Sequence, residues 1–175
     1  MEKPTLEILD QSRKEGFRPS VIACLIHNKR VLLVFKEEYK LWQLPQGGIA
    51  NKEDPDKALE RELVEELGSE FTKVVDFSSV KYIGEDKMEF KPGKHNIDPM
   101  VDDSGTSIPM LGKLYYFATV DCGSDELDIS KTQFDQHFWM SHQEANFLAE
   151  KIYQKGKRRI TMKILENLLN LGIIE

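Results

Sequence analysis

Apolar and polar positions alternate along the chain in runs of two distinct periods. From Pro19 to Lys36 (PSVIACLIHNKRVLLVFK), two β-rich stretches flank Asn28 and Lys29, the pattern of a hairpin. A short Leu41 to Leu44 segment ends at Pro45, Lys73 to Ile83 reads as a long strand, and Leu114 to Val120 and His137 to Met140 complete the β content. A polar lead-in runs through Gly16, and a segment rich in Asp, Pro and Gly, Glu85 to Gly112, reads as loop. Asp54 followed by Pro55 predicts a helix start, an N-cap side chain before a proline whose missing N–H costs nothing at the first helical position, and Gly68 predicts its end. Ser141 with Glu144 three residues later predicts a capping box, and an amphipathic segment from about Lys157 to Leu171 closes the chain. Strands interleaved with helices predict an α/β fold, a mixed sheet covered on its faces, within one domain spanning 1–175.

The helix predicted after Asp54 carries the candidate chemistry. At about 100° per residue, Glu62, Glu65 and Glu66 fall within an arc of about 100° beside the apolar stripe of Leu59, Leu63 and Leu67. Carboxylates that border the core stripe face the groove where helix meets sheet, and Ala58, between Glu62 and Glu65 in angle, would leave room there. Glu62 and Glu66 are like charges at i,i+4, which repel mildly when exposed and more strongly in a partly dry groove. Clustered carboxylates without His or Cys suit a hard divalent ion, Mg²⁺ or Mn²⁺, that shares its coordination with substrate phosphates. A plain exposed helix, with Arg61 supporting Glu65 at i,i+4, is the alternative. Gly47 and Gly48 just before the helix supply a backbone that a ligand can approach closely.

Composition narrows the function classes. The 175 residues are 40% hydrophobic and 31% charged, which is ordinary globular chemistry, and the net charge of −6 argues against a protein held to nucleic acid by its overall field. Cys24 and Cys122 sit in apolar strand-like runs without metal-ligand spacing and read as small core residues, which fits a reducing compartment. No apolar run approaches the roughly 18 residues that suggest a membrane span, and the N-terminus lacks a leader pattern, so the expectation is a soluble, cytoplasmic protein with no membrane partner. The histidines, His95 in the loop among them, show no metal-ligand spacing.

Gly47, five residues, Glu53, seven residues, then Arg61-Glu62-Leu63-Val64-Glu65-Glu66-Leu67-Gly68 resembles the Nudix box, Gx5Ex7REUxEExGU, over residues 47–69, with Ser69 at the usually apolar last position. The resemblance implies an α/β/α sandwich with a mixed sheet and a loop–helix–loop motif. It implies Mg²⁺ (or Mn²⁺) held by Glu62, Glu65, Glu66 and the Gly47 carbonyl, with Glu53 paired to Arg61 to fix the loop on the helix. Glu65, and after it Glu62, would activate the attacking water.

Gly16-Phe17-Arg18-Pro19 and Trp42-Gln43-Leu44-Pro45-Gln46-Gly47-Gly48-Ile49 resemble the branch that contains bacterial RNA 5′-pyrophosphohydrolases and dinucleoside tetraphosphate hydrolases. That likeness implies Arg18 and Lys36 as phosphate contacts, Gln46 of the Pro-Gln-Gly-Gly lead-in as a substrate residue, and Tyr153 and Lys155 near the phosphate end of the substrate. Gln133 stands where the branch commonly supplies a further carboxylate, so that either Asp135 substitutes, or fewer carboxylates serve, or the metal geometry differs. The acidic Asn96 to Ser104 loop sits awkwardly with an RNA surface. The implied activity is divalent-metal-dependent hydrolysis of pyrophosphate linkages in dinucleoside polyphosphates or at RNA 5′ ends. Hydrolysis of free or damaged nucleoside triphosphates is the alternative, and a non-catalytic nucleotide-binding sensor the next.

Overall fold

A computed structural model of the chain describes residues 1–93 and 97–175; His95 and Asn96, read from the sequence as loop, lie outside the described residues. The elements run α1 (Leu6–Lys14), β1 (Phe17–His27), β2 (Arg30–Lys36), β3 (Leu41–Gln43), β4 (Gln46–Gly48), α2 (Pro55–Leu67), α3 (Ser69–Thr72), β5 (Val75–Glu89), β6 (Met100–Val101), β7 (Ser107–Ile108), β8 (Gly112–Cys122), β9 (Gln136–Met140), α4 (His142–Ala149) and α5 (Lys155–Asn170). The main sheet follows the order β3-β2-β1-β8-β5, with β4 added to β1 and β9 to β2. Among the described residues only β1 and β8 pair in parallel, so the sheet is mixed.

Strand β1 buries both faces, which is why its sequence reads as one apolar run. Val21, Ala23 and Leu25 face a core shared with Leu9 of α1 and with Leu59, Leu63 and Leu67 of α2; Ile22, Cys24 and Ile26 face a second core shared with α4 and α5. The result is an α/β/α sandwich. The hairpin turn at Asn28 and Lys29 has φ of 47° and 57°, the two left-handed residues that match the twist of paired strands. Helix α2 starts and stops where its caps predict: the Asp54 side chain accepts from the Asp56 amide, Pro55 opens the helix, and Gly68 caps it at φ 90°.

Three segments depart from the sequence reading. The polar lead-in forms α1, capped by Thr5, with Leu9, Ser12 and Arg13 buried. Strand β5 runs on to Glu89, into what reads as loop, because an edge strand with bulges tolerates polar residues on its open side. Within the same stretch Met100–Val101 and Ser107–Ile108 pair as a small hairpin.

One topological detail positions the site. Strand β1 uses one edge for β8 along ten register pairs, and divides the other between β2, at Ile26 and His27, and β4, at Ser20 to Ile22. The β3–β4 segment therefore wedges between β1 and β2, and this opens the sheet beside the N-terminal half of β1. Helix α2 lies over that opening, anchored by Leu59, Leu63 and Leu67, each 1% exposed. Ala58 is fully buried in this core, so it packs the helix down instead of leaving room for a ligand.

The helix orientation is testable through stability. Leu63→Ala should cost about 2–5 kcal/mol, whereas Val64→Ala, at an exposed neighbour on the same helix, should stay within about 1 kcal/mol. Denaturant unfolding of both variants checks this.

Candidate active site

The loop between β4 and α2 is short of regular structure and is held by charge. Arg61, one turn and a half into α2, spreads its guanidinium over three groups. Its Nε and Nη2 donate to the two carboxylate oxygens of Glu53, both at 2.9 Å, Nη2 donates also to the Gly48 carbonyl at 2.8 Å, and Nη1 donates to Glu62 Oε1 at 2.6 Å. The fork geometry of an arginine matches a carboxylate edge-on, which a lysine cannot do. The other oxygen contact of Glu53 comes from the Ala50 amide at 2.8 Å, and the Arg61 bonds, followed by that amide, hold the Glu53 carboxyl below its ordinary pKa against the opposing effect of burial. The predicted Glu53–Arg61 pairing of loop to helix is thus present as a geometry.

The ladder between β4 and β1 decides which backbone groups face α2. Ala23 N donates to Pro45 O and Ile49 N to Pro19 O, with Val21 opposite Gly47 between them. In an antiparallel pair every second residue turns its N–H and C=O to the partner, so Gly47 turns its polar backbone to β1, and Gln46 and Gly48 turn theirs outward. The contacts agree: the Gln46 amide donates to Glu66 Oε2 at 2.9 Å, and the Gly48 carbonyl accepts from Arg61. The Gly47 carbonyl, expected as a cation ligand, therefore turns to β1, and the Gln46 and Gly48 edge meets the helix. Gly47 serves in another way. A Cβ there would lie 1.8 Å from Glu62 Cδ, so only glycine lets the Glu62 carboxylate settle on the strand.

The three glutamates occupy different environments. The Glu62 side chain is 16% exposed and fixed by Arg61, while that of Glu65 is 53% exposed with its carboxylate 3.5 Å from Arg61 Nη1. Glu66 is partly buried; burial first, then the charges of Glu62 and Glu65, push its carboxyl up to about 8 against the opposing Gln46 amide. Among the described residues no three His, Cys, Asp or Glu side chains converge into a ready cation cluster, since Glu62 and Glu65 lean on Arg61 and Glu66 on Gln46. The fit to a divalent cation rests on the donor chemistry: oxygen-only groups, one of them retaining a proton for want of positive charge, beside a glycine cradle that a Cβ would fill.

The departure at Gln133 has a local explanation. Its backbone amide donates to the Glu66 carbonyl at 3.0 Å and its side-chain amide to the Glu65 carbonyl at 3.1 Å, so it satisfies the C-terminal carbonyls of α2. The Asp135 Oδ2 accepts from the Glu37 amide at 2.7 Å. The Lys36 ammonium bonds to the Gln133 carbonyl, at the C-terminal end of α2. Glu60 is exposed, as its helical angle predicts.

The cavity beside this loop continues into a larger cleft. Arg18, Ser20, Gln43, Gln46, Gly47, Gly48 and Glu66 line about 210 Å³, and a Cβ on Gly48 would lie 2.5 Å from Arg18 Nη2, so the Arg18 guanidinium rests directly on that glycine. Gln46, Lys113 and Tyr115 are shared with a cleft of about 720 Å³ whose far wall is Tyr153, Lys155 and Lys157. Arg18, Gln46, Tyr153 and Lys155, four of the five sequence candidates for substrate contact, thus lie along one continuous surface. Lys113 was not foreseen; the parallel register sets it opposite Arg18, a pairing between strands almost a hundred residues apart that no local pattern carries.

Comparison with known proteins agrees with this geometry. A model of the NUDIX domain matches residues 16–163. An RNA pyrophosphohydrolase of Pseudomonas aeruginosa is 46% identical over 57 residues, 32% of this chain and 36% of that protein, so the match spans about a third of that relative. An RNA pyrophosphohydrolase of Actinobacillus succinogenes is 28% identical over 134 residues, 73% of this chain and 63% of that protein. Among solved structures, the E. coli dihydroneopterin triphosphate pyrophosphohydrolase superposes with a TM-score of 0.57 at 16% identity, covering 86% of this chain and 98% of the other, a likeness of fold. Among the described residues no helix is long and apolar enough to cross a membrane.

Glu66 gives a pH signature. Its folded pKa of about 8 lies above the ordinary 4.5, so the proton it holds favours the folded state: the contribution is complete below the ordinary value and is lost as pH rises through about 8. In chelator, the metal-free protein should lose stability between pH 5 and 9 relative to Glu66→Gln, whose melting temperature should be nearly level across that window. Thermal melts of the two proteins, compared pH by pH, check this.

Proposed function

The chain belongs to the NUDIX family, and on that premise we propose that it is a divalent-metal-dependent hydrolase of pyrophosphate linkages in extended nucleotide polyphosphates. The substrates that fit are dinucleoside polyphosphates and triphosphorylated RNA 5′ ends. The observation that carries the extended substrate is the cleft of about 720 Å³, continuous through Gln46 with the cavity beside Gly47, Gly48 and Glu66 and lined by four lysines, Lys91, Lys113, Lys155 and Lys157, against one carboxylate, Glu89. Lysine ammonium groups along a cleft suit a chain of phosphates, each negative and each within reach of a flexible point-charge donor. Arg18, seated on Gly48, is a fork donor in the wall of the cavity beside the loop.

Glu62, Glu65, Glu66 and the Gln46 carbonyl would hold Mg²⁺ or Mn²⁺, which when bound offsets phosphate charge and lowers the pKa of its water. The chain's own groups divide the remaining work. Glu53 and Arg61 fix the loop against α2. Glu62, clasped by Arg61 on the Gly47 strand, is a rigid donor. Glu65, the most exposed of the three, is free of a close bond and suits the role of proton acceptor from the attacking water.

The acidity of the Asn96 to Ser104 loop no longer weighs against RNA. Asp102 is turned inward on the amides of Ser104 and Thr106, and Asp103 is paired with Arg13, so these charges are engaged within the fold. The relatives named RNA pyrophosphohydrolase favour the same reading. Two free, buried thiols, both pushed up to about 12 by burial, accord with a reducing, cytoplasmic setting.

The test is kcat/KM with Mg²⁺ on triphosphorylated RNA, diadenosine tetraphosphate and deoxynucleoside triphosphates, with products identified. One of the first two should exceed the free triphosphates by at least about tenfold, and Glu65→Gln should lower kcat by about 10²–10⁴ with little change in KM. Preference for free or damaged triphosphates would assign the alternative substrate class. Tight nucleotide binding without turnover would assign a sensor.

A further inference from the structure

Three consecutive carbonyls, at the last residue of β4 and in the loop after it, accept from guanidinium groups. Gly48 accepts from Arg61, and Ile49 and Ala50 accept from Arg13 Nη2 at 3.0 and 2.9 Å. Arg13 belongs to α1, which precedes the residues that the NUDIX domain matches. Its side chain is 3% exposed, and its remaining contact is Asp103 Oδ1 at 3.3 Å, on the turn joining β6 and β7. The same turn is tied twice more. Asp10 of α1 accepts from the Asp103 amide at 2.6 Å, and Asn51 in the loop donates to Asp103 Oδ1 at 2.8 Å and to the Val101 carbonyl at 3.1 Å.

A buried arginine is a costly group to keep unless its position matters, since its charge must be matched by several fixed acceptors. Here those acceptors are the loop itself. We propose that Arg13 is a positioning residue for the cation site: from α1 it sets the Ile49–Ala50 backbone, and through it the Gln46 carbonyl edge and the Glu53 carboxylate bonded to the Ala50 amide. The helix α1 and the β6–β7 hairpin form the frame that carries it. This rests on the reading of the site as a divalent-cation site, and is separable from the identity of the nucleotide.

The experiment measures Mn²⁺ binding directly, by the loss of the free-ion spin-resonance signal, together with kcat, KM and circular dichroism. Arg13→Gln should weaken Mn²⁺ binding about tenfold or more, in the range seen when groups that orient metal ligands are removed, and lower kcat with KM little changed. Arg13→Lys, which retains the charge and one donor direction, should recover part of both. If Arg13→Gln does not fold, Asn51→Ala, at an exposed position that only links loop to hairpin, should weaken Mn²⁺ by about threefold with the fold intact. A folded Arg13→Gln or Asn51→Ala whose Mn²⁺ affinity and kcat equal those of the unchanged protein, with only the melting temperature lowered, overturns the proposal. Mn²⁺ binding without hydrolysis of any nucleotide would overturn the enzymatic reading and leave this one standing; no Mn²⁺ binding by the unchanged protein would remove both.

Discussion

The Arg61 guanidinium makes the bonds on which the rest of the site depends. It joins a loop with little regular structure to a helix that the hydrophobic core has already fixed. It bonds both oxygens of Glu53, the Gly48 carbonyl and Glu62 at once. An ordinary exposed ion pair contributes little, about 0–1 kcal/mol. This one differs by being bidentate and by having one end on a carboxylate that is 17% exposed. Its larger effect is geometric. With Arg61 in place, Glu62 lies on Gly47, where a Cβ would collide with it, and the outward backbone edge of Gln46 and Gly48 meets α2.

The same arrangement explains why carboxylates are crowded where they repel. Glu66 is drawn into the groove beside Gln46, and burial together with Glu62 and Glu65 leaves it holding a proton near neutrality. A fold with no use for that strain would lose it by any substitution to a neutral side chain. Positive charge arriving with a phosphate chain reverses the balance, because the repulsion that raises the Glu66 pKa becomes attraction for a cation. Lys113, Lys155 and Lys157 then lie on the side from which the phosphates would approach.

Much of this was legible in the sequence wherever the determining interaction is local. Asp54, Pro55 and Gly68 bound α2 by capping chemistry, Leu59, Leu63 and Leu67 set its buried stripe, and the spacing from Gly47 to Glu66 follows from that helix. The strands of the sheet centre were legible as apolar runs because both their faces are buried. What was not legible depends on partners distant in the chain. The wedge of β3 and β4 between β1 and β2 determines which backbone groups face α2, and turns the Gly47 carbonyl to β1. The bond of Lys36 to the Gln133 carbonyl joins residues 97 apart in the chain. Helix α1 hides among polar residues because Leu9 and the buried Arg13 are few signals in nine residues, and the two-residue strands of the β6–β7 hairpin are too short to leave a period.

The central claim, a crowded carboxylate site completed by a divalent cation, is tested most directly by counting protons released when Mn²⁺ binds. Calorimetric titrations at pH 6.5 and pH 9 in buffers of differing ionisation enthalpy give that count. With Glu66 titrating at about 8, release should be close to one proton at the lower pH and only a small fraction of one at the higher. Binding with no proton release at either pH, or no binding, would contradict the account.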